Sequence, residues 1–182
     1  MRVDIWSDVV CPFCYIGKKR LEAVAKEAEI ELEIHWHSYQ LDAEAPQSQS
    51  ISNTERLAQK YGRTLAEVEE MQRNIADMAK AEGIEFNWQQ ANSGNTFNAH
   101  RLIHLAQSKG LGNEAQEALF YSYMTQGLKI GERETLEDVA ARIGLNPVEV
   151  DDLLDGNEFA DFVEFDQEVA REQLKVTGVP FF

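Results

Sequence analysis

The chain has 182 residues, 17 Lys and Arg against 32 Asp and Glu, and a formal net charge of −15. That length suits one domain, or one domain with a large insertion, and a hydrophobic content of 43% is enough to bury a core. So acidic a surface repels phosphate backbones and anionic lipid, which predicts no nucleic-acid or membrane partner, and no segment has the length of a transmembrane helix.

Met1 to Trp6 reads as a strand, with no apolar signal core or cleavage site, and predicts a cytoplasmic protein. Val3, Ile5 and the Val9-Val10 pair form that strand and its exit. A helix is expected from the cysteines to about Glu29, with Ile16, Leu21, Val24, Ala25 and Ala28 facing inward. Ile30 to His37 alternates: Ile30, Leu32, Ile34 and Trp36 lie on one face, Glu31, Glu33, His35 and His37 on the other. This predicts a half-buried strand. Residues 42–54 are polar and read as a loop.

From there to about residue 175 the period is helical. Asn53 or Thr54 starts a short helix ending near Gly62. Thr64 and Glu67 form a capping box ahead of Leu65, Val68, Met71, Ile75 and Met78, and Gly83 ends that helix. Asn95 or Thr96 opens the next, with Leu102, Leu105 and Ala106 inside. Asn113 opens another, with Ala115, Ala118, Leu119 and Ser122 on one face. Thr135 caps a helix carrying Leu136, Val139, Ala140 and Ile143, stopped by Gly144. Asn146-Pro147 starts a further one, with Pro at the first helical position, ending near Gly156. A last long helix carries Phe159, Phe162, Val169 and Leu174. Val176 to Phe182 reads as a turn entering an apolar strand. A strand that stops on two Phe residues predicts a further piece, two strands and a helix, beyond Phe182.

The only two cysteines are Cys11 and Cys14, in Cys-Pro-Phe-Cys, at a strand-to-helix junction. In a reducing compartment such a pair is catalytic or metal-binding rather than a structural staple. With Cys11 as N-cap, Pro12 takes the first helical position, where its missing N–H costs nothing. The sulfur of Cys11 then accepts from the amide of Phe13 or Cys14, and the helix dipole adds positive charge. Both favour the thiolate, while a nearby Asp8 opposes it. Cys14 lies one turn on, within disulfide reach. Cys11 is thus expected to be exposed and activated, and Cys14 more buried and resolving. A cis bond at Pro180 would turn the Val179 backbone out to pair with an extended peptide beside the cysteines. His35 and His37 share a strand face and could instead complete a Cys2His2 zinc set, making a non-catalytic scaffold.

Ser7-Asp8-x-x-Cys11-Pro12-x-Cys14-Tyr15-Ile16-Gly17, a long helical insertion, and Thr177-Gly178-Val179-Pro180-Phe181-Phe182 together resemble the DsbA-like thioredoxin-fold oxidoreductases, in their FrnE-type cytosolic branch. Asn95-Thr96-x-x-Ala99-His100-Arg101-Leu102 is similar to that branch's helix start facing the active site. The resemblance implies an α/β, thioredoxin-like fold at 1–41 and 176–182, interrupted by an all-helical insertion at 42–175. It implies a thiol–disulfide oxidoreductase or disulfide isomerase in which Cys11 attacks, Cys14 resolves, and a cis Pro180 packs against them. Pro12, Phe13, Val179 and Pro180 would touch substrate, and Asn95 and Thr96 would line a pocket. The substrates would be protein or small thiols and disulfides, with no bound cofactor or metal. Phe13 stands where close relatives often carry Trp and the periplasmic oxidant carries His, so it gives the thiolate neither charge nor hydrogen bond. Kappa-class glutathione transferases and hydroxychromene-carboxylate isomerases are also similar, and imply an alternative with glutathione as co-substrate. They carry Ser at the position of Cys11.

Overall fold

A computed structural model describes residues 1–182 except Gln49 and Ser93. Part of the expected loop at 42–54, Gln49, therefore lies outside the described residues. Strand β1 (Arg2–Ser7) leads through helix α1 (Pro12–Glu27) to strand β2 (Glu33–Ser38). The two strands pair in parallel, from Arg2 opposite Glu33 to Ser7 opposite Ser38. A parallel pair needs a crossover, and α1 supplies it. The other edge of β1 takes the final segment: Trp6 and Phe181 form an antiparallel bridge, with N–H···O distances of 2.9 and 3.1 Å. The strand expected at 176–182 is reduced to that bridge.

Between these pieces lie seven helices among the described residues: α2 (Asn53–Tyr61), α3 (Leu65–Ala81), α4 (Phe97–Ser108), α5 (Gly112–Met124), α6 (Arg133–Arg142), α7 (Pro147–Asp155) and α8 (Ala160–Glu168), the last running into a π-helical turn, Val169–Gln173. The box at Thr64 and Glu67 forms as expected. So does the start at Asn146-Pro147, where the Asn146 side chain accepts from the Val148 amide. Helix α2 starts at Asn53 as expected, and Ser52 caps it with a capping box to Glu55. Gly62, at φ 62°, closes that helix in the left-handed conformation that glycine adopts freely. Two other caps differ from expectation. The residue before α5 is Leu111, and Asn113 lies inside the helix. The cap of α6 is Glu132, and Thr135 is buried in its first turn.

Helix α1 and β2 differ from the sequence reading for identifiable reasons. Glu29 adopts φ 54°, Ile30 N–H donates to Ala25 O at 2.8 Å, and Glu29 N–H donates to Lys26 O at 3.2 Å. This is a Schellman cap, so Ile30 ends the helix rather than starting the strand, and its side chain is exposed. The buried stripe of α1 runs through Cys14, Lys18 and Ala25, leaving Val24 and Ala28 outside. Lys18 can sit in that stripe because its ammonium is held by Glu22 at 2.6 Å and by Glu117 of α5 at 2.7 Å. Tyr15 completes the joint: its ring stacks on Phe120 at 4.8 Å and its hydroxyl donates to Glu117 at 2.6 Å.

One continuous core runs from Ile5, Val9, Ile16 and Trp36 into Leu102, Leu119, Phe120, Leu136 and Leu153. Helix α4 packs on β2, and the Gln107 amide takes the place of a neighbouring strand there: it accepts from Trp36 N–H at 2.8 Å and donates to Trp36 O at 3.3 Å. A smaller cluster of Trp6, Tyr39, Ala170 and Val176 seats the final segment through Val179 and Phe181. Phe162 of the last helix is exposed. Among the described residues no helix is long and apolar enough to cross a membrane.

Candidate active site

Strand β1 ends at Ser7, and a tight turn follows in which Cys11 N–H donates to Asp8 O at 3.0 Å. Cys11 is extended (φ −94°, ψ 111°) and caps α1, with Pro12 in the first helical position. The expected cap bond to its sulfur falls short of full hydrogen-bond geometry, although the Cys14 and Phe13 amides still favour the thiolate. The Cys11 thiol instead donates to Val179 O at 3.6 Å, across 168 residues of sequence. The Val179–Pro180 bond is cis. A bare Gly17 permits this approach: a Cβ there would stand 3.1 Å from Pro180 Cγ and 3.3 Å from Phe182 Cζ.

Both thiols are free, and both are buried: Cys11 is 4% exposed and Cys14 1%. The expected exposure of Cys11 is therefore corrected; it lines a cavity together with residues of α2 and α3. The two sulfurs are nonetheless set apart. A hydrogen bond from the Cys14 thiol lowers the Cys11 pKa most, and the amides of Cys14 and Phe13 add to it, against burial and the Asp8 carboxylate. Burial pushes Cys14 well up, and its proximity to Cys11 pushes it further, opposed by the Asp8 amide and the Ser7 hydroxyl. One sulfur is favoured as thiolate and the other as thiol.

Above Cys11 lies a cavity of about 180 Å³. Its floor is Asp8, Val10, Cys11, Pro12 and Phe13, its roof comes from Arg56, Leu57 and Lys60 of α2 and Met71, Gln72 and Ile75 of α3, and Thr96 closes one wall. Phe13 is 46% exposed. Of the expected pocket pair, Thr96 lines this cavity and Asn95 does not. Asn95 is a loop fastener: its amide nitrogen donates to Ala43 O (3.0 Å) and Ala45 O (2.9 Å), and its oxygen accepts from the Phe97 amide.

The zinc arrangement does not assemble. His35 Nε2 sits 2.9 Å from Glu33 Oε1. His37 is engaged on both nitrogens, by Asp166 at 2.7 Å and Asp4 at 3.0 Å, and its ring stacks on Trp6 at 4.3 Å. Among the described residues no group of three His, Cys, Asp or Glu is placed to hold a metal.

The sequence placed His100 only within the motif at the start of α4, with no partner. Asp8 (1% exposed) accepts from the Leu41 amide at 2.8 Å through Oδ2, while its Oδ1 lies 3.4 Å from His100 Nε2, itself 2% exposed. Arg56 and Gln72 were missed as well. The one signal for Gln72 is that it falls four residues after Val68, within a buried helical stripe.

The model of the DSBA-like thioredoxin domain matches residues 2–182. The chain belongs to that family. A probable DsbA oxidoreductase from Streptomyces coelicolor is 32% identical, with a TM-score of 0.92, covering all of this chain and 79% of its own. YwbO of Bacillus subtilis is 24% identical over 184 residues, covering all of this chain and 86% of YwbO. The cytosolic disulfide reductase DsbM from Pseudomonas aeruginosa shares the fold at 17% identity and a TM-score of 0.68, over 99% of this chain and 82% of its own. In this DSBA-like fold the Cys-Pro-Phe-Cys pair sits at the start of α1, with the Val179–Pro180 turn directly against it.

Proposed function

We propose that the protein is a thiol–disulfide oxidoreductase working through Cys11 and Cys14. The observation that carries this reading is the geometry: two free thiols one turn apart at the N-terminus of one helix, with the Val179 carbonyl 3.6 Å from the Cys11 sulfur. In the reduced protein the Cys11 thiolate attacks a substrate disulfide and expels one substrate thiolate. Cys14 then gives up its proton and attacks the Cys11 sulfur. The second substrate thiol leaves and the Cys11–Cys14 disulfide remains. The oxidised protein runs the same steps backwards, and its direction follows its reduction potential relative to the compartment. Pro12 and Phe13 form the lip on which substrate rests, with the Val179 backbone and Pro180 beside the reacting sulfur. The reading places the protein in the cytoplasm, where a chain with two cysteines needs no structural disulfide.

The test is single-turnover oxidation of the reduced protein by hydroxyethyl disulfide, followed by mass after acid quench. Wild type is expected to lose both thiols, Cys14→Ser to stall as a mixed disulfide on Cys11, and Cys11→Ser to be inert. A Cys11→Ser protein that forms the same adduct at the wild-type rate would sink the reading.

A further inference from the structure

Resting on the exchange reading, we propose that the cavity over Cys11 takes a low-molecular-weight disulfide bearing a carboxylate, and that Arg56 and Gln72 select it. Cys11 is 4% exposed beneath α2 and α3, so a reacting sulfur must enter the cavity to meet it. Most of the lining is apolar, including Val10, Leu57, Met71, Ile75 and Phe86. Two buried donors interrupt it, Gln72 Nε2 and Arg56 Nε, and neither has a hydrogen-bond partner among the described residues. Gln72 is 2% exposed, and its oxygen is occupied by the Thr54 hydroxyl at 2.8 Å. Arg56 spends Nη1 on Asp42 (3.4 Å) and Nη2 on Asn53 (3.1 Å), which leaves Nε. Lys60 Nζ, on the same helix and also lining the cavity, makes one long bond to Leu41 O at 3.4 Å.

Unpartnered buried donors are rare in folded proteins and are satisfied when an acceptor arrives. A carboxylate meets them better than a neutral carbonyl, because charge strengthens each hydrogen bond. Of the two acids on the lining, Asp42 is already on Arg56 Nη1, and Asp8 gives Oδ2 to the Leu41 amide while its Oδ1, without a hydrogen bond among the described residues, faces His100 Nε2 at 3.4 Å. In the reaction the Cys11 thiolate displaces one carboxylate-bearing thiolate from RS–SR. The deprotonated Cys14 displaces the second. The protein dithiol is oxidised by two electrons, RS–SR is reduced to two RSH, and the two protein protons go to them.

The net charge of −15 makes the test decisive, since bulk electrostatics favour a cationic or neutral disulfide over an anionic one. Reduced protein is mixed separately with dithiodipropionate, hydroxyethyl disulfide and cystamine, and each rate is divided by that of free dithiothreitol with the same reagent. Wild type is expected to favour dithiodipropionate over hydroxyethyl disulfide by about tenfold. Arg56→Gln should bring that ratio near one. Arg56→Lys should retain part of it, and Gln72→Glu should reverse it. A normalised preference for cystamine or hydroxyethyl disulfide in wild type, or an unchanged ratio in Arg56→Gln, overturns the proposal and leaves the exchange chemistry standing. Failure of all three reagents to oxidise Cys11 and Cys14 overturns both.

Discussion

Asp166→Asn is the most informative single change outside the cysteines, because one carboxylate ties α8 to the strand pair. Asp166 Oδ1 pairs with His37 Nδ1 at 2.7 Å. Its Oδ2 accepts from the Ser38 amide at 2.8 Å and lies 3.2 Å from His104 Nε2. Burial alone would raise its pKa, but the hydrogen bonds from His104, His37 and Ser38 outweigh it and hold the group at about 2. Against an ordinary value of 3.8, and at about 1.4 kcal/mol per pKa unit, the native carboxylate contributes about 2–3 kcal/mol. Its folded pKa is depressed. The contribution is therefore fully present above about pH 4 and is lost as pH falls through about 2. His37 has the opposite sign: burial lowers its pKa, yet Asp166 and Asp4 raise it above 6.5 overall. Its contribution is present below that value and fades as pH rises through the folded pKa. Asp166→Asn should lower the urea midpoint by about 1 M near neutral pH, taking a slope of about 2 kcal/mol/M. The gap should narrow as pH approaches 2, and the His37 imidazole should titrate lower by NMR. Equal midpoints for the two proteins near neutral pH, or a gap that persists undiminished into acid, would refute the reasoning. The site should feel this change, since His37 stacks on Trp6 and the Trp6 backbone holds Phe181, next to Pro180.

Iodoacetamide should modify Cys11 with an apparent pKa below the usual value of about 8.5, and leave Cys14 unmodified until the protein unfolds; equal modification of both, read by peptide mass, would contradict the assigned roles. Gly17→Val should slow disulfide exchange about tenfold or more by pushing Pro180 away from Cys11, with the helical circular dichroism retained. A wild-type exchange rate would show that this close approach is dispensable. Arg101→Met should destabilise by about 3 kcal/mol, a melting shift of about 10 °C. Its guanidinium donates to Leu153 O (2.5 Å), Gly156 O (2.8 Å) and Glu158 O (2.8 Å), which tie α4 to the end of α7. An unchanged melting temperature would mean water replaces it.

Features set within a few residues were legible in the sequence. Thr64 with Glu67, Asn146 with Pro147, and Cys11 with Pro12 are local hydrogen-bonding or φ constraints, and each starts a helix as read. What misled the reading came from partners far along the chain. A lysine looks like a surface residue until Glu117 meets it, so Lys18 shifted the inferred buried face of α1 toward Val24. His35 and His37 looked free as ligands until Glu33, Asp4 and Asp166 claimed them. Asn95 looked like a neighbour of the cysteines because nothing in its neighbourhood shows that Ala43 and Ala45 need its amide; it lines a separate cavity with Gln40 and Phe97 instead.

By itself the sequence determined that two thiols meet at one helix start. Two cysteines three residues apart, with proline between them and a helix behind, place two thiols at one helix start, and that depends only on backbone geometry over four residues. Tertiary structure decided what surrounds those thiols. It buried both, brought Val179 O to Cys11 across 168 residues, and set Asp8 beside His100. It also laid α2 and α3 over Cys11, with the Arg56 and Gln72 donors in the cavity wall. Burial and long-range contact depend on how distant segments pack, and no local pattern in a single chain encodes that directly.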